Sequence, residues 1–303
     1  MSILKDVIKD HPIRRSESQK DSFRSAAISF SEKLGFSAKV ETLKESKNVI
    51  IGDPESAEVI ITAHYDTPAA SLFPNVMIPR NRVLFYLYQF TPIFALLFAS
   101  LGLSYFMGYV LLKSYETFMI GFLVLYYGGF FLMSRVFENK NNYNDNTSGI
   151  ATVLSVAQSL DENSRKKIAF ILFDNEEKGK LGSKAYFSAH KDYMTDKPVL
   201  NLDCVGNGEN VIFIAKVPAQ KTPLWSALSS LPKCRGRYTL HLFTQKEADA
   251  NSDHKSFPVG IGCMTALRSK RGVLYAGRIH THRDVVAKEE NIDFLTNLII
   301  SLL

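Results

Sequence analysis

The sequence predicts an α/β fold: a mixed, mostly parallel sheet with helices on both faces, into which a hydrophobic helical hairpin is inserted. Three observations carry this. Short continuous apolar runs recur along the chain, as in strands buried on both faces. Segments of helical periodicity alternate with them, the pattern of a sheet covered by helices. Between residues 83 and 137, two long uncharged stretches break that pattern.

Taken in order, Phe23, Ala26, Ala27, Phe30 and Leu34 recur at helical spacing and predict a helix over residues 16–34. Gly35 stands where a helix ends. Strands are expected at 38–43, 48–51 and 59–63, and again at 167–173 (KIAFILF) and 199–202 (VLNL). Between them Ile150, Val153, Leu154, Ala157 and Leu160 mark one helix face, and Ile292, Leu295, Ile299 and Leu302 mark another near the end. There is no internal repeat and no low-complexity linker.

Residues 93–112 carry no charge and are long enough to span about 30 Å of hydrocarbon as a helix. Residues 118–134 form a second uncharged stretch, and the polar connection Lys113-Ser114-Tyr115-Glu116 makes the pair an antiparallel hairpin. The alternative is a buried core hairpin or an apolar lid, but uncharged pairs of this length favour the membrane. Tyr86, Tyr88, Tyr105, Tyr109 and Tyr115 supply interfacial aromatics. Ser100, Ser104 and Gly108 form a small-residue stripe that lets helices approach, so a homo-oligomer through the hairpin is one expectation. Arg80 and Arg82 before the first span, with Arg135 and Lys140 after the second, place the main domain on the cytoplasmic side. The chain thus divides into a first catalytic part (1–82), a transmembrane hairpin (83–137) and a second catalytic part (138–303).

The formal charge of +6 suits anionic lipid or an acidic substrate. No Lys/Arg run is interleaved with aromatics, so nucleic acid is excluded as a partner. Cys204, Cys234 and Cys263 form neither a close pair nor a disulfide framework and read as buried thiols of a reducing compartment. The first fifteen residues mix charges throughout and do not read as a secretory signal.

Chemistry gathers just beyond the apolar strands. The run 59–63 leads into His64-Tyr65-Asp66, the run 167–173 into Asp174-Asn175-Glu176-Glu177, and the run 199–202 into Asp203. Asp145 opens the helix that carries Ile150. Ligands collect at the carboxyl ends of strands in open α/β sheets, so one edge of the sheet holds a histidine and several carboxylates. Each piece alone is a common structural feature, an N-cap or a solvated turn. Together they make an inventory suited to zinc or a similar transition metal.

In chain order, AHYDT, NDNTSGIA, ILFDNEEKGKLGS, NLDCVG, SDHKSF and HTHRD resemble the motifs of the M28 family of zinc aminopeptidases. The resemblance covers the chain except the hairpin and implies a zinc-exopeptidase-like fold. It implies two zinc ions: His64 and Asp203 on one, Glu177 and His280 on the other, and Asp145 bridging. It further implies Glu176 as general base and Asp66 as the residue that holds the His64 imidazole. Which glutamate ligates and which moves the proton comes from the resemblance alone. The family pattern selects His280; His282 would share its face in a strand and stays as the alternative. Asp284 is expected to tie down this loop, and Asp253 and His254 either shape the substrate end of the pocket or are structural. His190 and His241 read as ordinary histidines, and Gly206 with Gly208 as a turn.

The implied activity is hydrolysis of an N-terminal residue from a peptide substrate. Two alternatives stand beside it: acyl transfer of the glutaminyl cyclase kind with one zinc, and a non-catalytic membrane receptor or scaffold. The family's loop between Asp66 and Asp145 is replaced here by the hairpin. The site is therefore expected near the membrane lipid, with access limited to small or flexible peptides.

Overall fold

The first two helices, α1 (Ile3–Asp10) and α2 (Glu17–Lys33), lead into the sheet. A reciprocal cap starts α2: Gln19 N donates to Ser16 Oγ at 3.4 Å and Ser16 N donates to Gln19 Oε1 at 2.9 Å. Gly35, at φ +86°, ends it in the left-handed region where a glycine carries no Cβ penalty. The computed structural model describes residues 2–71, 75–133 and 137–303, Phe137 by its backbone alone.

Strands β1 (Ala38–Leu43), β2 (Ser46–Ile51), β3 (Val59–His64), β4 (Ala69–Ala70) and β5 (Asn75–Met77) precede the hairpin. The hairpin consists of α3 (Arg82–Tyr105), continued by a π-helical turn Phe106–Leu111, and α4 (Tyr115–Met133). Then follow β6 (Phe137–Glu138), α5 (Ser148–Ser159), α6 (Glu162–Arg165), β7 (Ile168–Phe173), α7 (Leu181–Ala189), α8 (Lys191–Met194) and β8 (Val199–Leu202). The last part holds β9 (Asn210–Ala215), α9 (Pro223–Ser230), β10 (Cys234–Arg235), β11 (Tyr238–Thr244), β12 (Gly260–Arg268), β13 (Leu274–Ile279) and α10 (Glu289–Ile300).

Eleven strands form one sheet in the order β1-β2-β7-β3-β8-β12-β9-β11-β10, with β13 paired to β12 and β5 to β13. Its centre, β7-β3-β8-β12, is parallel; antiparallel pairings flank it on both sides. The apolar runs were legible because both faces are covered. Ile61, Ala63, Phe170 and Leu172 pack with Ile150 and Val153 of α5 and Leu295 of α10. Alternate residues, Ile60, Ala169, Ile171 and Phe173, pack with Tyr186 of α7 and Met194 of α8 on the other face. The strands β9, β11, β12 and β13 and the helices α1, α7 and α9 lie outside the elements the sequence led us to expect.

Arg82–Leu111 (30 residues, mean hydropathy 1.8) and Tyr115–Met133 (19 residues, 1.5) are each long and apolar enough to cross a membrane. Only 17% of the first apolar window and none of the second is buried, unlike a soluble core hairpin. Helix α3 begins at Arg82, well before the expected start at residue 93. Ser114 caps α4 by accepting from Thr117 N at 3.1 Å.

The small-residue stripe forms the seam of the hairpin itself. Ser100 and Ser104 are buried, and a Cβ on Gly108 would lie 2.5 Å from that of Phe118. Gly121 rests against Ser104 and Gly129 against Leu96. The stripe expected to let helices approach does so within one chain. Ser134 and Arg135, the latter one of the flanking cations, lie outside the described residues.

Candidate metal centre

Register brings the first ligands together. His64 pairs with Phe173 across β3 and β7, and Thr62 pairs with Asn201 across β3 and β8. Two residues further on, His64 stands beside Asp203, with its Nε2 3.7 Å from Asp203 Oδ1. Beyond β7 the chain turns through Asn175, held left-handed at φ 55°, and presents Glu176 and Glu177 to the same edge. Their main-chain N–H groups donate to the two oxygens of Asp66, at 2.9 and 3.2 Å. Asp66 also meets the His64 ring. Its main-chain oxygen is the nearer partner of His64 Nδ1, at 3.1 Å against 3.6 Å for Oδ1. The carboxylate is drawn instead to the glutamate loop.

Asp145 sits just before α5, on a cis Asp145–Asn146 peptide bond. Asn146 ties this loop to the end of β8, donating through Nδ2 to Leu202 O at 2.9 Å and accepting from Gly149 N at 3.0 Å. The approach leaves no room for a side chain at Gly149, whose Cβ would fall 2.3 Å from Asn146 Oδ1 and 2.5 Å from Leu202 O. Asp145 therefore points between two imidazoles: Oδ1 lies 3.3 Å from His64 Nε2 and Oδ2 lies 3.0 Å from His280 Nε2.

His280 follows β13 at φ 58°, a left-handed residue past the end of the strand. Strand alternation therefore does not govern this loop. His280 Nε2 reaches Glu177 Oε1 at 3.2 Å, whereas His282 is exposed. Asp284 anchors the loop as expected, accepting from Asn144 N at 3.1 Å and Asp145 N at 3.0 Å.

Among the described residues, three groups of potential ligand atoms result: His64, Asp145 and Asp203; Asp145, Glu177 and His280; and His64, Glu176 and Glu177. The nitrogen-to-oxygen distances of 3.0–3.7 Å in the first two groups match the edge of a tetrahedron about an ion with ligands at roughly 2.0–2.2 Å. Asp203 Oδ1 and Glu177 Oε1 are buried without a well-directed hydrogen bond. Buried polar atoms are normally satisfied, so these residues fit divalent cations.

Electrostatics agree. Burial disfavours the charged form of His64, but Asp145, Asp203 and Asp66 outweigh it and raise its pKa well above 6.5. Burial is likewise overcome at His280 by Glu177 and Asp145. Burial pushes Glu176 well above the usual carboxylate range, opposed by His64 and reinforced by Asp253, Glu177 and Asp203. Burial also raises Glu177, against the pull of His280. Protons thus bind where cations would.

Asp253 and His254 are buried, and among the described residues neither Asp253 oxygen nor His254 ring nitrogen has a well-directed hydrogen-bond partner. Burial lifts Asp253 to about 7 and pushes His254 down to about 3. His190 and His241 are ordinary, bonded to Glu41 and Asn210. Cys204 and Cys263 are buried thiols, but Cys234 is exposed, because it lies on the short outermost strand β10.

Two contributions had no signal in the sequence. Arg14 is fully buried behind the site, donating to Tyr65 O at 2.5 Å and Thr147 Oγ1 at 3.1 Å, and so joins the His64 and Asp145 loops. The other is the wall of the cleft above the ligands, a cavity of about 280 Å³. Opposite the carboxylates, Phe85 and Tyr86 of α3 line it.

The comparisons with known proteins follow this geometry. The Peptidase family M28 model matches residues 136–300, more than half of the chain. No curated protein matches the chain in sequence. Among solved structures it is similar to the LapA aminopeptidase of Legionella pneumophila (TM-score 0.57, 14% identity, covering 99% of this chain and 68% of that one). It is similar also to the glutaminyl cyclase of Porphyromonas gingivalis (0.59, 13%, 99% and 94%). A third is a Zn-dependent exopeptidase from Parabacteroides distasonis (0.55, 17%, 98% and 94%). At these identities the likeness is one of fold, which is the expected α/β exopeptidase-like fold. The chain belongs to peptidase family M28.

Proposed function

We propose that this protein is a membrane-anchored metallopeptidase that binds two zinc ions and removes residues from the amino terminus of peptides. The single observation that carries the reading is Asp145, whose two oxygens face different imidazoles in two ligand groups. A shared carboxylate between two such groups is what a pair of cations needs. His64 and Asp203 would hold one, Glu177 and His280 the other. Bound there, the ions would supply Lewis acidity to the scissile carbonyl and to the attacking water.

The chain's own residues do the rest. Glu176 shares a ligand group with His64 and Glu177 but not the group of Asp145 and His280, which leaves its carboxylate for proton work. Burial makes that carboxylate a stronger base than a solvated one. It takes the proton from the attacking water and passes it to the departing amine. Asp66 fixes the glutamate loop through its two N–H contacts. The apolar wall of Phe85 and Tyr86 limits water in the cleft.

The hairpin anchors this domain in lipid. Arg80 and Arg82, on its domain side, support a cytoplasmic orientation. The test is hydrolysis of aminoacyl fluorogenic substrates by full-length protein in detergent, beside Glu176→Gln, with bound metal quantified. Activity with about two zinc ions per chain, lost in the variant at unchanged metal content, is the expected result. Cyclisation of N-terminal glutamine with one ion bound would overturn it in favour of acyl transfer. A metal-free, inactive chain would mark a scaffold.

A further inference from the structure

The length of the first helix of the hairpin places the cleft. Counted back from Leu111, the ~30 Å of a bilayer's hydrocarbon takes up about twenty residues of the first helix and ends near Pro92. Gly121 lies against Ser104 and Gly129 against Leu96. Both contacts fall on the hydrocarbon side of Pro92. Residues 82–91 of α3 therefore project about 15 Å beyond that level, toward the catalytic domain.

This projecting segment is fastened to the domain. Arg82 donates to Gln245 O at 3.0 Å, Gln89 bonds Asn75, and Arg80 covers the Phe243 ring at 4.7 Å. Phe85 and Tyr86 on it line the cleft that holds the ligand groups. Tyr86 lies six residues above Pro92, so the cleft begins about 9 Å from the hydrocarbon.

From Tyr86 a row of exposed aromatics descends α3 at steps of four. Tyr86 (55% exposed) is followed by Phe90 (48%), Phe94 (53%) and Phe98 (67%). Ring centroids are 6.2 Å apart between Tyr86 and Phe90 and 6.4 Å between Phe90 and Phe94. The row is continuous with the cleft at its upper end and with the bilayer at its lower end.

We propose that the substrate is a peptide itself held in the membrane, its free amino terminus in the cleft and its apolar continuation against this aromatic row. The proposal rests on the peptidase reading above and adds the substrate class. Replacing lipid by an apolar peptide on the row is nearly neutral in hydrophobic terms. The gain is alignment: a chain lying along the row presents its amino terminus to the cleft in one orientation, which a peptide merely confined to the bilayer surface does not. The 9 Å between hydrocarbon and cleft corresponds to about three extended residues. Trimming should therefore stop at least about three residues short of the apolar segment.

The test uses full-length protein in phosphatidylcholine vesicles and three peptides with the same eight N-terminal residues. One is soluble, one continues into a twenty-residue apolar helix in the same vesicles, and one is tethered to a lipid headgroup by a long flexible linker. The expected result is a kcat/KM for the helix-continued peptide at least tenfold above the tethered one. That ratio should fall toward one in the Phe90→Ala/Phe94→Ala variant, and the product ladder should end at least three residues from the apolar helix. Equal rates on the tethered and helix-continued peptides, with the soluble peptide cleaved, would overturn this proposal and leave the peptidase reading standing. Cleavage of none of the three, at full metal content, would overturn both.

Discussion

The main-chain N–H of Asp145 donates to Asp284 Oδ2 at 3.0 Å. The loop that carries His280 therefore also fixes the carboxylate that His280 faces. Asp284→Ala removes acceptors from both Asn144 N and Asp145 N, two buried donors. The expected cost is about 1–3 kcal/mol per stranded group, with zinc affinity lowered ~10–100-fold. Metal titration of the variant by calorimetry checks this, and unchanged affinity would refute it.

Glu176→Gln should keep the fold and the metal while losing the base. A general base contributes roughly 10²–10⁴ in rate, so kcat should fall by that factor with KM little changed. Loss of metal along with activity would instead make Glu176 a ligand.

Asp145→Asn tests the bridge. The amide offers one neutral oxygen where the carboxylate faces both rings, so the variant is expected to hold at most one tight zinc ion. Two tightly bound ions in this variant, counted by mass spectrometry under native conditions, would show that Asp145 does not bridge.

The metal-free protein should lose stability as pH rises. His64, His280, Glu176 and Glu177 all have pKa values raised in the fold. Each binds its proton more tightly folded than unfolded, so its contribution is present at low pH and fades as pH climbs through the folded value. For the imidazoles that window opens above 6.5. With chelator, Tm should decline above that pH; with zinc it should not, because the ions replace the protons. Zinc loading itself should weaken as pH falls. A chelated protein whose Tm is flat from pH 6.5 to 9 would contradict the assignment.

Gly149→Ala places a methyl 2.3 Å from Asn146 Oδ1 and 2.5 Å from Leu202 O, so α5 must move away from β8. Such overpacking costs about 1–3 kcal/mol, and here it also separates Asp145 from Asp203. Denaturant unfolding and metal affinity should both report it.

The sequence was most legible where burial is two-sided. KIAFILF reads as a strand because Phe170 and Leu172 face one layer while Ile171 and Phe173 face the other. The edge residues His64, Glu176, Glu177 and Asp203 follow such strands directly, so their convergence was readable once the sheet was. Alternation failed at His280, because a left-handed backbone had already ended the strand. Arg14 was illegible, since nothing in HPIRRSES distinguishes a fully buried arginine from the exposed one beside it. The aromatic wall of the cleft was hidden for a related reason: Tyr86 read as an interfacial aromatic and Phe85 carried no signal of its own until the helix carrying them was seen to begin at Arg82.

Strand β3 lies between β7 and β8, and both of its neighbours come after the hairpin in the chain. During synthesis His64 emerges first, followed by the hairpin, and only then by the strands that will flank it. Until residue 202 has left the ribosome, the centre of the sheet cannot close. For the membrane anchor proposed above, this means that the hairpin can reach a bilayer while the domain around it is still open. Assembly of the ligand groups becomes a late event, completed only after the hairpin has been made.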